Sequence, residues 1–447
     1  MSSFINNLSS LAEKHNRIAL ELYQKHNVKR GLRNADGSGV LVGLTEIGDV
    51  HGFIFDEGEK IPDQGRLTYR GIKIEDLVAG FQKEKRSGFE EVCYLLLFGD
   101  LPVEQQLEDF KSMLAEHREL PNGFTENMIL KAPSNDIMNK LARSVLASYS
   151  YDRNPDDISI KNLLRQCIEL IARFPTMAAY GYQAKSHYFN NKSLFIHNPQ
   201  KNLNTAENIL YLIRPDSKFS RLEAETLDLS LVLHAEHGGG NNSTFTDHVV
   251  SSSDTDTYSA IAAAVGSLKG PKHGGANIRV MAMMEDIKAN VKDWQDEEEI
   301  DGYLAKLINR QAGDRSGLIY GIGHAVYTLS DPRAVLLKQK IAEMAKEKSY
   351  SEEFQLYKII EKLAPAAFKR VKNSDKVISA NVDFYSGFVY KMLNIPQELY
   401  TPIFAIARIA GWSAHRIEEI ISGGRIIRPA YRSVSTRRPY LPLSERE

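Results

Sequence analysis

Histidines and two aspartates share four short segments of this chain with glycines, a combination typical of pocket walls. Glycine lets backbone and ligand approach closely, while imidazole and carboxylate groups transfer or polarise protons near neutral pH. The segments are residues 234–241 (HAEHGGGN), 270–277 (GPKHGGAN), 321–333 (GIGHAVYTLSDPR) and 381–387 (NVDFYSG). One histidine in a glycine-rich turn is as often structural as catalytic, so it is their joint occurrence that predicts a site of acid–base chemistry.

Three arginines provide the complementary charge. Arg333, Arg408 and Arg428 lie in segments that are otherwise apolar or small, most clearly in residues 405–412 (AIARIAGW). A guanidinium on an apolar helix face must find an anion, since burying it unpaired is expensive. For each arginine the anion is either a nearby Asp or Glu or a bound ligand, and the three together would suit a small di- or tricarboxylate.

Several other chemistries are disfavoured by the same segments. His234 and His237 could share a helix face and bind zinc, but residues 238–240 are glycines that end the helix, and no third ligand follows at a usual spacing. The chain has no Gly-Lys-Ser/Thr phosphate loop, no Gly-x-Gly-x-x-Gly after a strand and no Gly-x-Ser-x-Gly elbow. The acidic residues of 296–301 indicate a solvated helix start rather than a metal site.

The elements that must position these groups are mainly helices. Apolar residues recur at helical spacing in 164–171 and again in 356–363, which predicts two helix faces in the core. Residues 40–55 and 65–74 have the short apolar stretches of extended chain, so a little β structure is expected near the N-terminus. The pattern predicts an all-α fold with minor β structure.

The composition of the chain indicates a soluble globular protein. The 447 residues are 43% hydrophobic and 25% charged, with a formal net charge of −1, which is typical of a soluble globular protein and disfavours nucleic acid as a partner. Cys93 and Cys167 have apolar neighbours and indicate buried thiols in a reducing compartment. Residues 1–30 resemble neither a secretory signal nor a transit peptide, and no run of eighteen apolar residues occurs. We therefore expect a cytoplasmic protein without a membrane span.

Several motifs in the same order resemble those of the citrate synthase family, over roughly residues 60–432. Besides the four segments above, they are residues 65–72 (GRLTYRGI), 94–102 (YLLLFGDLP), 175–179 (PTMAA), 404–412 (FAIARIAGW) and 425–429 (RIIRP). The resemblance implies condensation of acetyl-CoA with oxaloacetate, followed by hydrolysis of the thioester.

The resemblance also implies a catalytic group of three residues. Asp383 would take a proton from the acetyl methyl group, and His273 would donate a hydrogen bond to the thioester oxygen as it becomes enolate-like. Such a weak carbon acid reacts only if a positioned donor meets the developing oxyanion, which contributes roughly 3 kcal/mol per donor. His324 would polarise or protonate the ketone of oxaloacetate.

Binding residues follow from the same resemblance. Those implied for oxaloacetate are His237, Arg333, Arg408 and Arg428, the last reaching into a neighbouring subunit, which requires a homodimer. Those implied near CoA are Gly321, Gly323 and Asn381. Acetyl-CoA would act as co-substrate, and neither a metal nor a permanently bound cofactor is expected.

The family fold implied is almost wholly helical and has two domains. Residues 1–277 and 389–447 would form a large domain, and residues 278–388 a small domain that closes over the active-site cleft and expels water. Ala325 stands where many bacterial members carry arginine, which puts detailed CoA contacts in doubt. The first sixty residues do not resemble the β-rich N-terminal domain of the hexameric, NADH-inhibited subclass, which favours a dimer.

Two other functions remain open at this point. 2-Methylcitrate synthase uses propionyl-CoA and shares all these motifs, and one methylene changes binding in a pocket by only about 1–3 kcal/mol. A catalytically silent helical dimer that serves as a binding or scaffolding module is the alternative from another class. An idle scaffold has no physical need for His273, His324 and Asp383 in glycine-rich pocket walls.

Overall fold

The computed structural model describes residues 2–34, 37–56 and 59–446 and divides into two compact units, residues 1–44 and residues 45–447. The first unit contains helices α1 (Ser2–His15) and α2 (Leu20–Lys25), followed by a 3-10 turn at Arg30–Leu32. An isolated β-bridge between Arg33 and Gly39 follows this turn. The second unit contains a small sheet and the remaining helices.

The sheet is an antiparallel meander of three strands. Strands β1 (Gly48–Asp56) and β2 (Glu59–Tyr69) pair with Gly48 opposite Tyr69, and a bulge interrupts the register between His51 and Phe53. The two-residue strand β3 (Ile72–Lys73) pairs with the end of β2. This confirms the expected β structure near the N-terminus, although residues 40–47 form no strand.

Fifteen helices of the second unit, all within the described residues, make up most of the fold. They are α3 (Ile74–Lys83), α4 (Phe89–Phe98), α5 (Glu104–His117), α6 (Ile137–Ser148), α7 (Ile160–Asn190), α8 (Thr205–Ile213), α9 (Arg221–His234), α10 (Asn242–Ser251), α11 (Thr257–Lys269), α12 (Ala276–Asn290), α13 (Glu297–Ile308), α14 (Pro332–Glu347), α15 (Ser351–Lys372), α16 (Val382–Met392) and α17 (Tyr400–Ile421). Short helical turns lie at Thr125–Leu130, Tyr149–Tyr151, Gln397–Leu399 and Leu443–Glu445.

Helix α17 forms the centre of the second unit. It is buried without a break from Tyr400 to Ile403 and again from Ala405 to Ile417, and it packs against α4, α7, α9, α10 and α11. A helix that is apolar on all sides belongs in a core, and the polar side chains on it must therefore be paired inside the protein or serve a ligand.

The predicted helical faces are confirmed. Cys167, Ile168 and Ile171 of α7 are buried, as are Leu356, Ile359 and Ile360 of α15. The acidic segment begins α13, where the Asp296 carboxylate accepts hydrogen bonds from the backbone N–H groups of Glu298 and Glu299. Cys93 and Cys167 are both fully buried.

The all-α fold class is also confirmed, since 59% of the chain is helical. The division into a large domain (1–277 and 389–447) and a small domain (278–388) stays a prediction. None of the helices in the described part of the chain has the length and apolar content that a membrane span requires.

Candidate active site

The first glycine-rich segment forms the loop between α9 and α10. Helix α9 ends at His234, and Gly238 adopts a positive φ of 79°, which turns the chain away from the helix axis. The carbonyl oxygen of His234 accepts a hydrogen bond of 2.8 Å from Arg408 Nε on α17. The loop is therefore attached to the buried face of α17 that carries the predicted substrate arginine.

Three aromatic rings from two segments form one wall of the site. The His237 ring centroid lies 5.1 Å from that of His324 and 5.7 Å from that of Tyr327. The rings of His324 and Tyr327 stack at 4.7 Å. The structure thus brings together two of the predicted site histidines that are far apart in the chain.

The backbone sets the tautomer of His324. The N–H groups of Val326 and Tyr327 both lie 3.1 Å from His324 Nδ1. A backbone N–H only donates, so Nδ1 is the acceptor and the proton of the neutral ring belongs on Nε2. His324 can therefore donate from Nε2 to a carbonyl oxygen.

His273, in the turn between α11 and α12, is oriented in the opposite way. The backbone N–H of Ser243 donates to His273 Nε2 at 3.3 Å, and the Ser243 hydroxyl lies 2.9 Å from the same nitrogen. The proton of the neutral ring therefore belongs on Nδ1. Burial, together with the charge on Arg408, lowers the His273 pKa to about 4, so the ring is a neutral donor at physiological pH.

Asp383 lies in the first turn of α16. The Asn381 side chain caps this helix by accepting a 3.0 Å hydrogen bond from the Asp383 N–H, and its amide nitrogen donates to Gly323 O at 2.8 Å. A further backbone bond runs from the Asn381 N–H to Gly321 O at 2.9 Å. The segment that carries Asp383 is therefore fastened directly to the segment that carries His324.

Gly321 has a structural reason to be glycine. Its φ is +78°, and a Cβ at this position would lie 2.8 Å from the Cα of Phe384 and 2.9 Å from a methyl group of Val280. A larger residue would push the His324 segment away from α16. Gly321, Gly323 and Asn381 are thus part of the framework of the site, and their predicted proximity to CoA stays a prediction.

The Asp383 carboxyl group is suited to accept a proton. Its side chain is only partly exposed, and burial raises its pKa to about 6, against the opposing charge of Arg333. A carboxylate with this pKa is ionised at neutral pH and is a stronger base than an ordinary aspartate.

A pH dependence of turnover follows from this pKa. The carboxylate is the active form of a general base, so kcat/KM, which reports groups of the free enzyme, should fall about tenfold per pH unit below pH 6 and level off above about pH 7. Steady-state kcat/KM between pH 4.5 and 8.5 measures this. A kcat/KM that keeps an ordinary aspartate's inflection near pH 4 would contradict the assignment.

Arg333 is paired within the protein. Its Nε and one terminal nitrogen contact the two oxygens of Asp331 at 3.0 and 2.7 Å, and Asp331 also accepts from the N–H of Val382 at 3.1 Å. The charge of Asp331 raises the Arg333 pKa against the effect of burial. Of the two anions that the sequence allows for each arginine, Arg333 therefore has the internal one, Asp331. Its guanidinium carbon also lies 5.4 Å from the Tyr327 ring centroid.

Arg408 differs from Arg333 in this respect. It is fully buried, and both terminal nitrogens of its guanidinium lack a hydrogen-bond partner among the residues that the structure describes. Burial lowers its pKa to about 10, so it remains charged at neutral pH. Within the described residues, the buried His237 Nε2 also lacks a partner. Buried polar atoms without a partner are costly unless a ligand completes them, so these two residues are candidates to hold an anion.

Arg428 lies apart from this group. It is exposed in the extended segment after α17, and it forms no hydrogen bond or ion pair with the other candidate site residues in the described part of the chain. The N–H of its neighbour Ile427 donates to the Ser252 hydroxyl at 3.0 Å, just beyond the end of α10. Its role in a neighbouring subunit's site stays a prediction.

Sequence reasoning missed several supporting residues. Asp331 is the partner of Arg333, and its Asp-Pro-Arg sequence at a helix start is a recognisable N-cap signal. Ser243 and Trp412 carry no such signal. The Trp412 indole donates to the Ser243 hydroxyl at 3.2 Å, and this contact forms only because α10 and α17 pack together.

Comparisons with known proteins identify the family of this chain. The sequence model described as "Citrate synthase, C-terminal domain" matches residues 35–430. The chain belongs to the citrate synthase family. It is 36% identical to a citrate synthase from Synechocystis sp. over 86% of this chain and 88% of the relative. It is 32% identical to a 2-methylcitrate synthase from Shewanella oneidensis over 85% and 92%, respectively.

A solved structure of the citrate synthase family resembles this chain over nearly its full length. It is the ternary complex of carboxymethyl coenzyme A and oxaloacetate with citrate synthase from Thermoplasma acidophilum, which superimposes with a TM-score of 0.75 at 26% identity. The match covers 94% of this chain and 99% of that one. Membership of the citrate synthase family makes the chain an acyltransferase-type enzyme and confirms the resemblance read from the motifs.

Proposed function

We propose that this protein is a citrate synthase that condenses acetyl-CoA with oxaloacetate. The observation that carries the proposal is the buried guanidinium of Arg408, whose two terminal nitrogens lack an acceptor beside the equally unpaired His237 Nε2. A small dicarboxylate would supply the missing acceptors. The tautomers of His273 and His324 make each ring a hydrogen-bond donor, and the raised pKa of Asp383 makes its carboxylate a base. The chemistry requires these groups.

The reaction begins with formation of an enolate. The Asp383 carboxylate removes a proton from the acetyl methyl group, while His273 donates from Nδ1 to the thioester oxygen on which charge develops. A neutral imidazole is a suitable donor because it stabilises the oxyanion without being a strong enough acid to quench it. The His273 pKa of about 4 maintains this neutral form.

Carbon–carbon bond formation follows. The enolate carbon attacks the ketone carbon of oxaloacetate, and His324 hydrogen-bonds or protonates the ketone oxygen from Nε2 as it becomes the citryl hydroxyl. Water then cleaves the thioester, which gives citrate and the CoA thiol. Loss of the thioester makes the overall reaction irreversible in practice.

Oxaloacetate would be bound by His237, Arg333, Arg408 and, from the second subunit of a homodimer, Arg428. The exposed segment after α17 supports this arrangement, since it carries Arg428 together with Tyr431, which is 96% exposed in the single chain. We further propose a cytoplasmic enzyme that uses acetyl-CoA as co-substrate and holds no permanent cofactor. Gly321, Gly323 and Asn381 would lie near the CoA moiety.

A second candidate function, 2-methylcitrate synthase, differs from the first in the acyl group of the CoA substrate. A 2-methylcitrate synthase is among the relatives, at 32% identity. Thiol release with oxaloacetate, measured in parallel with acetyl-CoA and propionyl-CoA, separates the two functions. We expect kcat/KM for acetyl-CoA to exceed that for propionyl-CoA by about tenfold or more, the effect of one poorly accommodated methylene.

The same assay contains the outcomes that would contradict the proposal. A preference for propionyl-CoA would make the protein a 2-methylcitrate synthase. Absence of any oxaloacetate-dependent thiol with either acyl-CoA would favour the non-catalytic scaffold.

A further inference from the structure

Behind Arg408, the same face of α17 contacts a second set of buried charges. Glu236 is fully buried in the loop after α9, and its Oε1 accepts a 3.0 Å hydrogen bond from Nε2 of His415, also fully buried. The Gly238 N–H also donates to Oε1, whereas Oε2 has no hydrogen-bond partner in the described part of the chain. None of the proposed chemical steps uses Glu236 or His415.

Gly411 shows how closely Glu236 is inserted into this helix face. A Cβ at Gly411 would lie only 2.3 Å from Glu236 Oε2 and 2.5 Å from Ala235 O. Gly411 stands between Arg408 and His415 on α17, at spacings of three and four residues that share one helix face. The carboxylate therefore lies against α17 between the substrate guanidinium and the imidazole.

The chain of charges continues outward from His415. Its Nδ1 lies 3.2 Å from Nε2 of His248 on α10, and His248 Nδ1 contacts Glu419 at 2.9 Å. His248 and Glu419 retain 13% and 17% side-chain exposure, respectively. The network thus runs from the buried anion site to groups that water reaches.

We propose that Glu236 and His415 are positioning residues that set the affinity of Arg408 for oxaloacetate, because His415 in its charged form neutralises the carboxylate that would otherwise compete with the substrate. This inference rests on the proposed function. Among the charged groups, Glu236 has the largest influence on Arg408 and favours its protonated form. A negative charge so close to the guanidinium would repel a dianion unless a second cation balanced it.

The charges around His415 favour its imidazolium form. Burial opposes this form, but the charge of Glu236 outweighs burial and raises the His415 pKa above its ordinary value. The other titratable groups facing it are Glu418 on its own helix, Asp247 and His248 on α10, and, near Glu236 and Glu418, Arg70. Asp247 is fully buried with two unpartnered oxygens and has its pKa raised to about 7 by burial.

The sign of the pH effect follows from these groups. Below the pKa of His415, its positive charge balances Glu236, and Arg408 is available to the dianion. As pH rises through that pKa, His415 loses its charge, Glu236 remains ionised with a lowered pKa, and oxaloacetate binding weakens. Ionisation of Asp247 in the same range favours charged His415 and broadens the transition.

Calorimetric titration of oxaloacetate into the full-length protein without acyl-CoA, from pH 6.5 to 9, tests the proposal. In the unmodified protein, Kd should rise at least about fivefold over this range. In His415→Gln, whose amide still donates to Glu236, Kd should already be weak at pH 6.5 and change little with pH. In Glu236→Gln, Kd should stay low and flat at every pH.

A purely structural role would not make Kd high in His415→Gln, low in Glu236→Gln and independent of pH in both variants. The control is His187→Gln, which should keep the unmodified profile. His187 is exposed near the end of α7, where it contacts Lys192 O at 2.9 Å and the Tyr188 ring at 4.9 Å. If His415→Gln does not fold, Glu236→Gln decides alone. Variants that keep the unmodified pH slope would overturn the proposal. Absence of oxaloacetate binding in the unmodified protein would instead overturn the proposed function.

Discussion

Replacement of Asp383 by asparagine is expected to lower kcat for oxaloacetate-dependent thiol release by about a thousandfold, within the range for loss of a general base. Asparagine keeps the shape of the side chain and its place in the first turn of α16, but it cannot accept the methyl proton. Without enolate formation, His273 has no developing charge to stabilise. Steady-state thiol release with acetyl-CoA measures the effect, and oxaloacetate affinity should change little by comparison.

Stability separates a chemical role of Asp383 from a structural one. Because its folded-state pKa is raised to about 6, the ionised carboxylate disfavours folding above its unfolded pKa, so Asp383→Asn should keep or slightly raise the melting temperature at pH 7.5. The matched control is Asp375→Asn, which removes an exposed carboxylate paired with Lys369 at 2.8 Å and should leave kcat unchanged. Near-normal turnover in the Asp383 variant would refute its role as the base.

Local sequence patterns predicted helical faces and one helix start, but not every helix end. The periodicity of α7 and α15 predicts their buried faces, and the acidic residues of 296–301 predict the start of α13. These features depend on residues within one or two turns of each other. Helix α9, however, ends at His234, before the glycines that were expected to end it. The motifs of the citrate synthase family then predicted which of the segments share a site.

Features that depend on distant packing could not be predicted from local patterns. Glu236 and His415 are 179 residues apart in sequence and meet only because the loop after α9 rests on Gly411 of α17. Arg333 is paired and Arg408 is not, although both lie in apolar surroundings. Only Arg333 has an aspartate two residues earlier in the chain that pairs with it. The role proposed for Arg428 would require a second chain, which no pattern within one chain specifies.

Replacement of Arg408 by leucine is the second substitution for which we expect a large effect. Oxaloacetate affinity should fall at least about thirtyfold, since truncating one partner of a buried charge pair costs about 2–5 kcal/mol. The melting temperature of the free protein should nevertheless stay the same or rise, because the variant removes a buried guanidinium with two unpaired nitrogens at the cost of one hydrogen bond to His234 O. Thermal unfolding with and without oxaloacetate measures both effects.

Arg416 on the same helix provides the matched control. It is also fully buried, but its three nitrogens donate to Thr257 Oγ1, Ser251 Oγ and Thr255 O at 3.3, 2.9 and 2.6 Å, respectively. Arg416→Leu leaves these acceptors unpaired, so it should lower the melting temperature and spare the stabilisation by oxaloacetate. If Arg408→Leu instead behaved like Arg416→Leu, Arg408 would be a structural residue. The unfilled hydrogen bonds of the Arg408 guanidinium are the feature that separates it from Arg416 and makes it available to a substrate carboxylate.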